Sequence, residues 1–435
     1  MKLDAALAAL DGSAPLALEG RVTAIVGLVL RARLARVRVG DLCVIDRDGA
    51  PPLRAEVVGF SGDEATLIPL GDPAGVGPDS GVRSTGRPSA IRCGDALLGR
   101  VLDGLGDPID GGGAIDGEEW PIDRAAPDAL ARRRIRAPLA TGMRAIDGLA
   151  TLGEGQRVAV LAGPGAGKST LLAQIARSAA VDAVVVALVG ERGREVREFI
   201  EDGLGAECRR RAVVVVATSD APALVRLRAA HVATAVAEHF RERGRRVLLL
   251  VDSLTRYARA QREVGLAAGE PPVRMGFPTS VFTMLPRLLE RAGASERGSI
   301  TGLYAVLASA DDRDDPIADE AMALLDGHLV LDPRAAAAGR FPALDVARSL
   351  SRVMPSLVDE EHLAAAARVR DLCATLAEKQ DLLAAGAYRA GGDPVLDRAL
   401  AKARAIEGFL RQGPGERVPL DETRRALRAL ASGGC

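Results

Sequence analysis

The sequence predicts an α/β fold: a mainly parallel sheet covered by helices, preceded by a small β-barrel and followed by a helical domain. Three observations carry this reading. Continuous apolar runs at Val158–Ala162, Ala183–Val189, Ala212–Ala217, Val247–Val251 and Leu303–Leu307 show no polar alternation, as strands buried on both faces do. Helix-length segments such as Ser169–Ala180 and Ala221–Arg243 separate them. Short β-like runs precede this region, and a helical pattern follows it.

Residues 1–18 place Leu3, Ala6, Leu7 and Leu10 at helical spacing before Gly12 and Pro15 stop the pattern. This reads either as a frayed amphipathic turn or as a helix that docks on a partner or a membrane surface. Residues 19–86 carry Val22–Leu30, Arg36–Ile45, Ala55–Phe60 and Ala65–Leu70, divided by turns such as Asp46–Gly49 and Ser61–Glu64. That spacing predicts a small barrel or sandwich. The Gly/Pro/Asp-rich stretch Gly71–Pro88 reads as a linker. Residues 87–360 form the expected α/β domain, and 361–435 the helical one. In the latter, Asp393 suits a helix cap and Pro394 its first turn, ahead of the stripe Leu396, Leu400, Ala403, Ile406 and Phe409 or Leu410.

Composition narrows the function classes. The 435 residues are 48% hydrophobic, enough for a sizeable core, and the formal net charge of -1 speaks against a protein coated for phosphate backbones. Aromatics at 3% give no obvious platform for stacking bases, so no nucleic-acid partner is expected. Cys43, Cys93, Cys208, Cys373 and Cys435 are scattered and form no metal-ligand cluster, which fits a reducing compartment better than a disulfide scaffold. The chain opens without a secretory-signal pattern, and no apolar run reaches the roughly 18 residues of a membrane-spanning helix. A soluble or peripheral protein is expected.

The strongest local signal is Ala162-Gly163-Pro164-Gly165-Ala166-Gly167-Lys168-Ser169-Thr170, which follows an apolar strand and opens a helix. This is the setting of a Walker A phosphate loop. Glycines let backbone N–H groups turn toward a phosphate, and the helix N-terminus adds unsatisfied donors. Lys168 is expected to reach the β- and γ-phosphates of a nucleoside triphosphate, and the Ser169 hydroxyl to ligate Mg²⁺. Ala162 departs from the pattern, standing where the first glycine is usual. The strand Arg246–Asp252 ends in a carboxylate, as a Walker B segment does, and Asp252 can hold Mg²⁺ directly or through water. Alone that signal is weak; it gains weight from lying about 80 residues after the phosphate loop. Glu191 follows the run Ala183–Val189 at what a parallel sheet makes the ligand edge. From spacing alone it either polarises a water or belongs to a solvated charged turn.

With these motifs in place a resemblance becomes specific. Gly190-Glu191-Arg192-Gly193-Arg194-Glu195 resembles the GER-x-RE segment of rotary ATPase catalytic subunits, and Thr141–Asp147 resembles their segment ahead of the phosphate loop. The likeness extends through Asp252–Tyr257, Gly269–Pro272, Leu288–Ala292, Gly298–Thr301, Asp315–Asp319 and Leu325–His328, covering nearly the whole chain from about residue 90. Within that superfamily the chain is most similar to type III secretion ATPases of the injectisome branch, through residues 190–201 and 258–272. The string Phe409-Leu410-Arg411-Gln412-Gly413 fits both that branch and the flagellar one. These ATPases commonly carry a non-glycine residue where Ala162 sits.

The resemblance implies a RecA-like domain that hydrolyses ATP with Mg²⁺ to drive chaperone release, unfolding and export of proteins. It implies Glu191 as the base that activates water, Arg192 beside it near the γ-phosphate, and Arg352 as an arginine reaching into a neighbouring subunit's site. Phe341 matches an aromatic that stacks on adenine, with a plain core role as the alternative. Tyr388 is a further candidate to close that pocket, an ordinary structural tyrosine being the alternative. The four histidines take no role. A hexameric ring is implied, together with a stator-like regulator, a central stalk, export-gate proteins and chaperone–substrate complexes. The implied place is the cytoplasm, peripheral at the cytoplasmic face of the inner membrane. The rival readings are a non-catalytic ring subunit, which typically has Gln where Glu191 stands; an RNA helicase, which needs stacking aromatics where residues 19–86 hold only Phe60; and a flagellar export ATPase or an ion-coupled synthase subunit.

Overall fold

The computed structural model describes residues 19–307 and 315–432. The amphipathic pattern within 1–18 and Cys435 lie outside the described residues.

Six strands form a closed antiparallel barrel in the order β1-β2-β5-β4-β3-β6. They are β1 (Glu19–Val26), β2 (Val29–Arg33), β3 (Asp41–Ile45), β4 (Leu53–Ser61), β5 (Glu64–Pro69) and β6 (Gly81–Pro88). Alternate residues point inward, so Cys43 and Ile45, Ala55 and Val57, and Ala65 and Leu67 fill the barrel. The barrel corrects two expectations. The run Val22–Leu30 is the hairpin β1–β2, which turns at Gly27. The second half of the expected linker Gly71–Pro88 is β6, which closes the barrel between β1 and β3. Its Gly, Ser, Thr and Arg residues give no apolar alternation; of its side chains only Val82 enters the core.

The central sheet runs in the order β19-β18-β10-β17-β13-β11-β12-β8, with β16 on β17. Small antiparallel pairs β7 (Ala90–Cys93) with β9 (Glu118–Pro121), and β14 (Pro272–Arg274) with β15 (Phe277–Pro278), lie outside it. Its strands are β8 (Val101–Asp103), β10 (Arg157–Ala162), β11 (Ala183–Glu191), β12 (Ala212–Thr218), β13 (Arg246–Asp252), β16 (Gly293–Ala294), β17 (Ser299–Val306), β18 (Gly327–Leu331) and β19 (Leu344–Ser351). Neighbours pair in parallel except β19 on β18 and β16 on β17. Along β11, Val185, Ala187 and Val189 join one core layer while Val184, Val186 and Leu188 join the other. Both faces are covered, which is why the strand reads as an unbroken apolar run. The helices Ala223–Glu242 and Leu254–Ala267 cover the first face. The helix Lys168–Ser178 and the C-terminal helices cover the second.

Arg228 of the helix Ala223–Glu242 ties the barrel to this domain. Its guanidinium grips both carboxylate oxygens of Glu56 on β4, with Nε 2.9 Å from Oε2, and donates to Asp123 at 2.5 Å. Asp123 also lies 2.9 Å from His231 Nδ1, and His231 Nε2 meets the Tyr257 hydroxyl at 3.0 Å.

The C-terminal domain comprises the helices Glu360–Glu378, Gln380–Ala384, Pro394–Leu410 and Leu420–Ser432. Asp393 caps the third by accepting from Val395 N at 2.9 Å and Leu396 N at 3.2 Å. Leu396, Ile406, Phe409 and Leu410 are buried as the stripe predicts, whereas Leu400 is 37% exposed.

Candidate functional site

Three parallel strands deliver the site to one edge of the sheet. The loop after β10 turns through Gly165 and Gly167, both with positive φ, and enters the helix at Lys168. β11 ends in Glu191 and β13 in Asp252, their register placing Leu188 opposite Asp252. The Lys168 ammonium bonds Asp252 Oδ1 and stands 3.4 Å from Glu191 Oε1. Ser169 and Thr170 follow on the exposed side of that helix start.

A second cation reaches Glu191 from behind. Arg256 Nη1 lies 3.0 Å from Glu191 Oε2 and donates to the Gly190 carbonyl. Gly190 has φ +70, and a Cβ there would come within 3.0 Å of Arg256 Cδ, so glycine serves both the turn and the close approach. Sequence reasoning placed Arg256 in a family-like string but gave it no task. Its signal was its position four residues after Asp252, on the first turn of the following helix, capped by Ser253 Oγ accepting from Arg256 N. Glu191 is buried, and its burial, then the Asp252 charge, push its pKa up to about 7 against Lys168 and Arg256. Asp252 is buried as well. Two buried carboxylates thus share cations, with an exposed hydroxyl beside them.

The strand β19 carries two expected residues to opposite edges. It runs antiparallel to β18, pairing Leu344 with Leu331 and Ser351 with Gly327. Its start therefore lies at the carboxyl edge of the parallel strands, its end at the amino edge. Phe341, three residues before β19, is 37% exposed, and its ring lies 3.3 Å from where a Gly167 Cβ would stand. That puts an accessible aromatic ring against the phosphate loop. Arg352 follows β19 at the other edge, exposed, with its backbone N–H on Asp326 O and its guanidinium on Met322 O at 3.0 Å. An eight-residue strand spans about 27 Å, so Arg352 is out of reach of its own chain's Lys168.

The remaining expected residues lie apart from the cluster. The Arg192 side chain is 76% exposed and pairs with Glu195 at 3.6 Å. It lines a shallow cavity with Arg226, Arg256 and Arg259 on the flank of Glu191. The Tyr388 hydroxyl bonds Asp393 O at 3.1 Å and Asp397 Oδ1 at 2.8 Å, pinning its turn to the helix Pro394–Leu410.

Comparison with known proteins adds three family matches. Residues 142–351 match the nucleotide-binding domain of the ATP synthase alpha/beta family, 22–86 its beta-barrel domain, and 358–429 the C-terminal domain of the type III secretion ATPase EscN. A type 3 secretion system ATPase of Xanthomonas euvesicatoria is 52% identical over 94% of this chain and 93% of its own. A flagellum-specific ATP synthase of Pseudomonas aeruginosa is 48% identical over 96% and 94%. The assembled ATPase EscN of enteropathogenic E. coli superposes with a TM-score of 0.89 at 43% identity, covering 95% of this chain and all of the solved chain, and with 0.87 in its complex with the central stalk EscO.

Proposed function

The chain belongs to the type III secretion ATPase family, a branch of the ATP synthase alpha/beta family, and is a P-loop ATPase; from that premise we propose that it hydrolyses Mg-ATP at sites shared between neighbouring copies of a ring to power protein export. The observation that carries the proposal is the convergence of Lys168, Glu191 and Asp252 from three parallel strands onto one point beside Ser169.

The chemistry follows from that arrangement. Transfer of the γ-phosphoryl group to water needs alignment and charge neutralisation more than covalent help. The Lys168 ammonium balances two buried carboxylates. An incoming triphosphate draws that ammonium onto its β- and γ-oxygens, leaving Asp252 and Glu191 without it. The donors left there are oxygens only, which suits a hard cation. Mg²⁺ takes few protein ligands and uses phosphate oxygens for the rest. Ser169 and Asp252 would hold it, and bound there it would neutralise phosphate charge. Glu191, raised toward neutrality, accepts the proton of the attacking water, while Arg256 fixes its far oxygen. Phe341 offers its face to the adenine. Arg352 completes the site of the next subunit.

EscN is seen assembled and with a central stalk; by analogy this chain forms a homo-hexamer around such a stalk and meets chaperone–substrate complexes, a stator-like regulator and the export gate at the cytoplasmic face of the inner membrane. No helix among the described residues is long and apolar enough to cross a membrane. Glu191→Gln tests the core of the proposal. The variant should bind ATP as wild type does while hydrolysis falls roughly 10²–10⁴-fold. Hydrolysis at the wild-type rate would place the base elsewhere. The flagellum-specific relatives support a second cargo system. Deleting the gene in its host separates the two: injectisome export should stop while swimming persists, and loss of swimming alone would assign the flagellar role.

A further inference from the structure

Between the last two long helices the chain crosses the nucleotide domain as a strap, residues 411–419. The elements that carry the nucleotide machinery hold it down. From the phosphate-loop helix, Gln174 Nε2 donates to Gly413 O at 3.1 Å and Arg177 donates to Pro414 O at 2.9 Å. From the segment ahead of that loop, Arg144 donates to Phe409 O at 2.9 Å and Arg411 O at 2.5 Å. At the centre sits Gln412, 2% exposed.

Gln412 joins three parts of the molecule at one buried point. Its Oε1 accepts from Arg144 N at 2.9 Å, and its Nε2 donates to Gly142 O at 2.6 Å and to Glu416 O at 2.9 Å. Its backbone N–H donates to the Phe341 carbonyl at 2.8 Å. Both amide hydrogens and the amide oxygen are therefore used, and a buried amide so satisfied has little freedom to turn. The far end of the chain of contacts is equally fixed. Asp147, fully buried, accepts from Thr141 N, Thr141 Oγ1 and Gly142 N at 2.9, 2.7 and 3.0 Å. The line Asp147–Gly142–Gln412–Phe341 thus runs from the domain core, through the C-terminal strap, to the aromatic ring beside Gly167.

We propose that Gln412 is a positioning residue for the nucleobase: from the C-terminal helical domain it sets the Phe341 platform, so that displacing those helices changes affinity for the base and leaves affinity for the triphosphate alone. The proposal rests on the reading of Phe341 as the base platform. It gives the helical domain, where cargo is expected to dock, a direct mechanical route to ATP affinity.

The test compares ATP with inorganic tripolyphosphate, which engages the phosphate loop but has no base. Gln412→Met keeps the reach of the side chain and removes its hydrogen bonds. In the full-length protein it should raise the Kd for ATP about tenfold, the scale of losing one base–aromatic stack, with the Kd for tripolyphosphate unchanged. Phe341→Ala should do the same. If Phe341→Ala changes the ratio of the two constants and Gln412→Met does not, the role of Gln412 is overturned while the platform stands. If Phe341→Ala leaves the ratio alone, the platform reading fails and this inference with it. Equal weakening of both ligands by Gln412→Met makes the residue merely structural and also overturns the proposal. Should Gln412→Met not fold, Gln412→Glu, which keeps the acceptor for Arg144 N–H and loses both donated bonds, is read by the same criteria.

Discussion

Two buried ionic clusters border this domain, and they are built for different ends. At the barrel junction Arg228 is gripped by both oxygens of Glu56 and also meets Asp123, so charge is matched across two domains with paired, directional bonds. At the nucleotide edge the Lys168 ammonium is shared between Asp252 and Glu191, with Arg256 taking the remaining oxygen. Burial raises the pKa of Glu56 against the pull of Arg228, so the difference lies in Asp123 and Glu191. Asp123 is half exposed, and against a partial desolvation the His231 hydrogen bond and the Arg228 charge hold its pKa below the usual range. Burial and the Asp252 charge instead drive Glu191 up to about 7. The first cluster is a finished joint. The second shares one lysine between two carboxylates, and the rate should depend on it more than the stability does.

The sharpest break of that contrast is Lys168→Ala. Turnover should drop to background and ATP binding should weaken sharply, because no other group in the cluster supplies a mobile cation to the β/γ-phosphates. Activity within a few-fold of wild type would overturn the assignment of this loop.

Arg352→Ala comes next, with an expected loss of roughly 10³–10⁵ in rate, the range for an arginine supplied in trans. The antiparallel course of β19 puts this guanidinium at the amino edge, away from its own Lys168. Specific activity should therefore rise with protein concentration as rings form. Mixing Arg352→Ala with Lys168→Ala should restore some activity, since one mixed interface pairs an intact phosphate loop with an intact arginine. If mixed rings form by light scattering and stay inactive while Arg352→Ala alone turns over normally, the shared site is wrong.

The barrel joint should answer the other way. Arg228→Ala strands Glu56, which is buried, and breaking one side of a buried pair typically costs about 3–5 kcal/mol. Chemical denaturation should show that loss, while the KM for ATP in protein that remains folded stays near wild type. A large rise in KM with unchanged stability would mean that the two clusters are coupled, and the contrast between them would fall.

Much of this was legible in the chain itself, for identifiable reasons. Strands covered on both faces announce themselves as unbroken apolar runs, so β10, β11, β12, β13 and β17 were readable. The phosphate loop was readable because glycines, Lys168 and Ser169 have few other uses in that order. The strand β6 was not, because it joins the barrel mainly through backbone bonds and leaves little side-chain periodicity. Arg256 and Gln412 stand within family-like strings that give them no task. Each acts on residues far away in sequence, 65 positions for Arg256 to Glu191 and 71 for Gln412 to Phe341, and no local pattern encodes such partners. Arg192 shows the converse: its neighbour in sequence is Glu191, yet the turn at Gly190 sends its side chain to solvent.

The smallest expected effect is the pH dependence of the unfinished cluster, and its sign follows from the raised pKa of Glu191. In the unfolded chain this carboxyl titrates near 4.5, and in the folded chain near 7. Between those values the folded state holds the extra proton, so the contribution to stability is fully present below about pH 4.5 and is lost as pH rises through about 7. The full swing is at most on the order of 3 kcal/mol, since a tenfold change in proton affinity is worth about 1.36 kcal/mol. Glu191→Gln removes the titration, so its stability advantage over wild type should grow between pH 5 and pH 8 in nucleotide-free protein. Chemistry should run against stability over the same window, since only the ionised carboxylate accepts a proton. Wild-type kcat/KM should therefore rise about tenfold per pH unit below 7 and level off above it. A limb centred near 4.5, with no change in the stability gap, would mean that Glu191 is solvated like an ordinary surface carboxylate. The nucleotide edge would then be no less finished than the barrel joint.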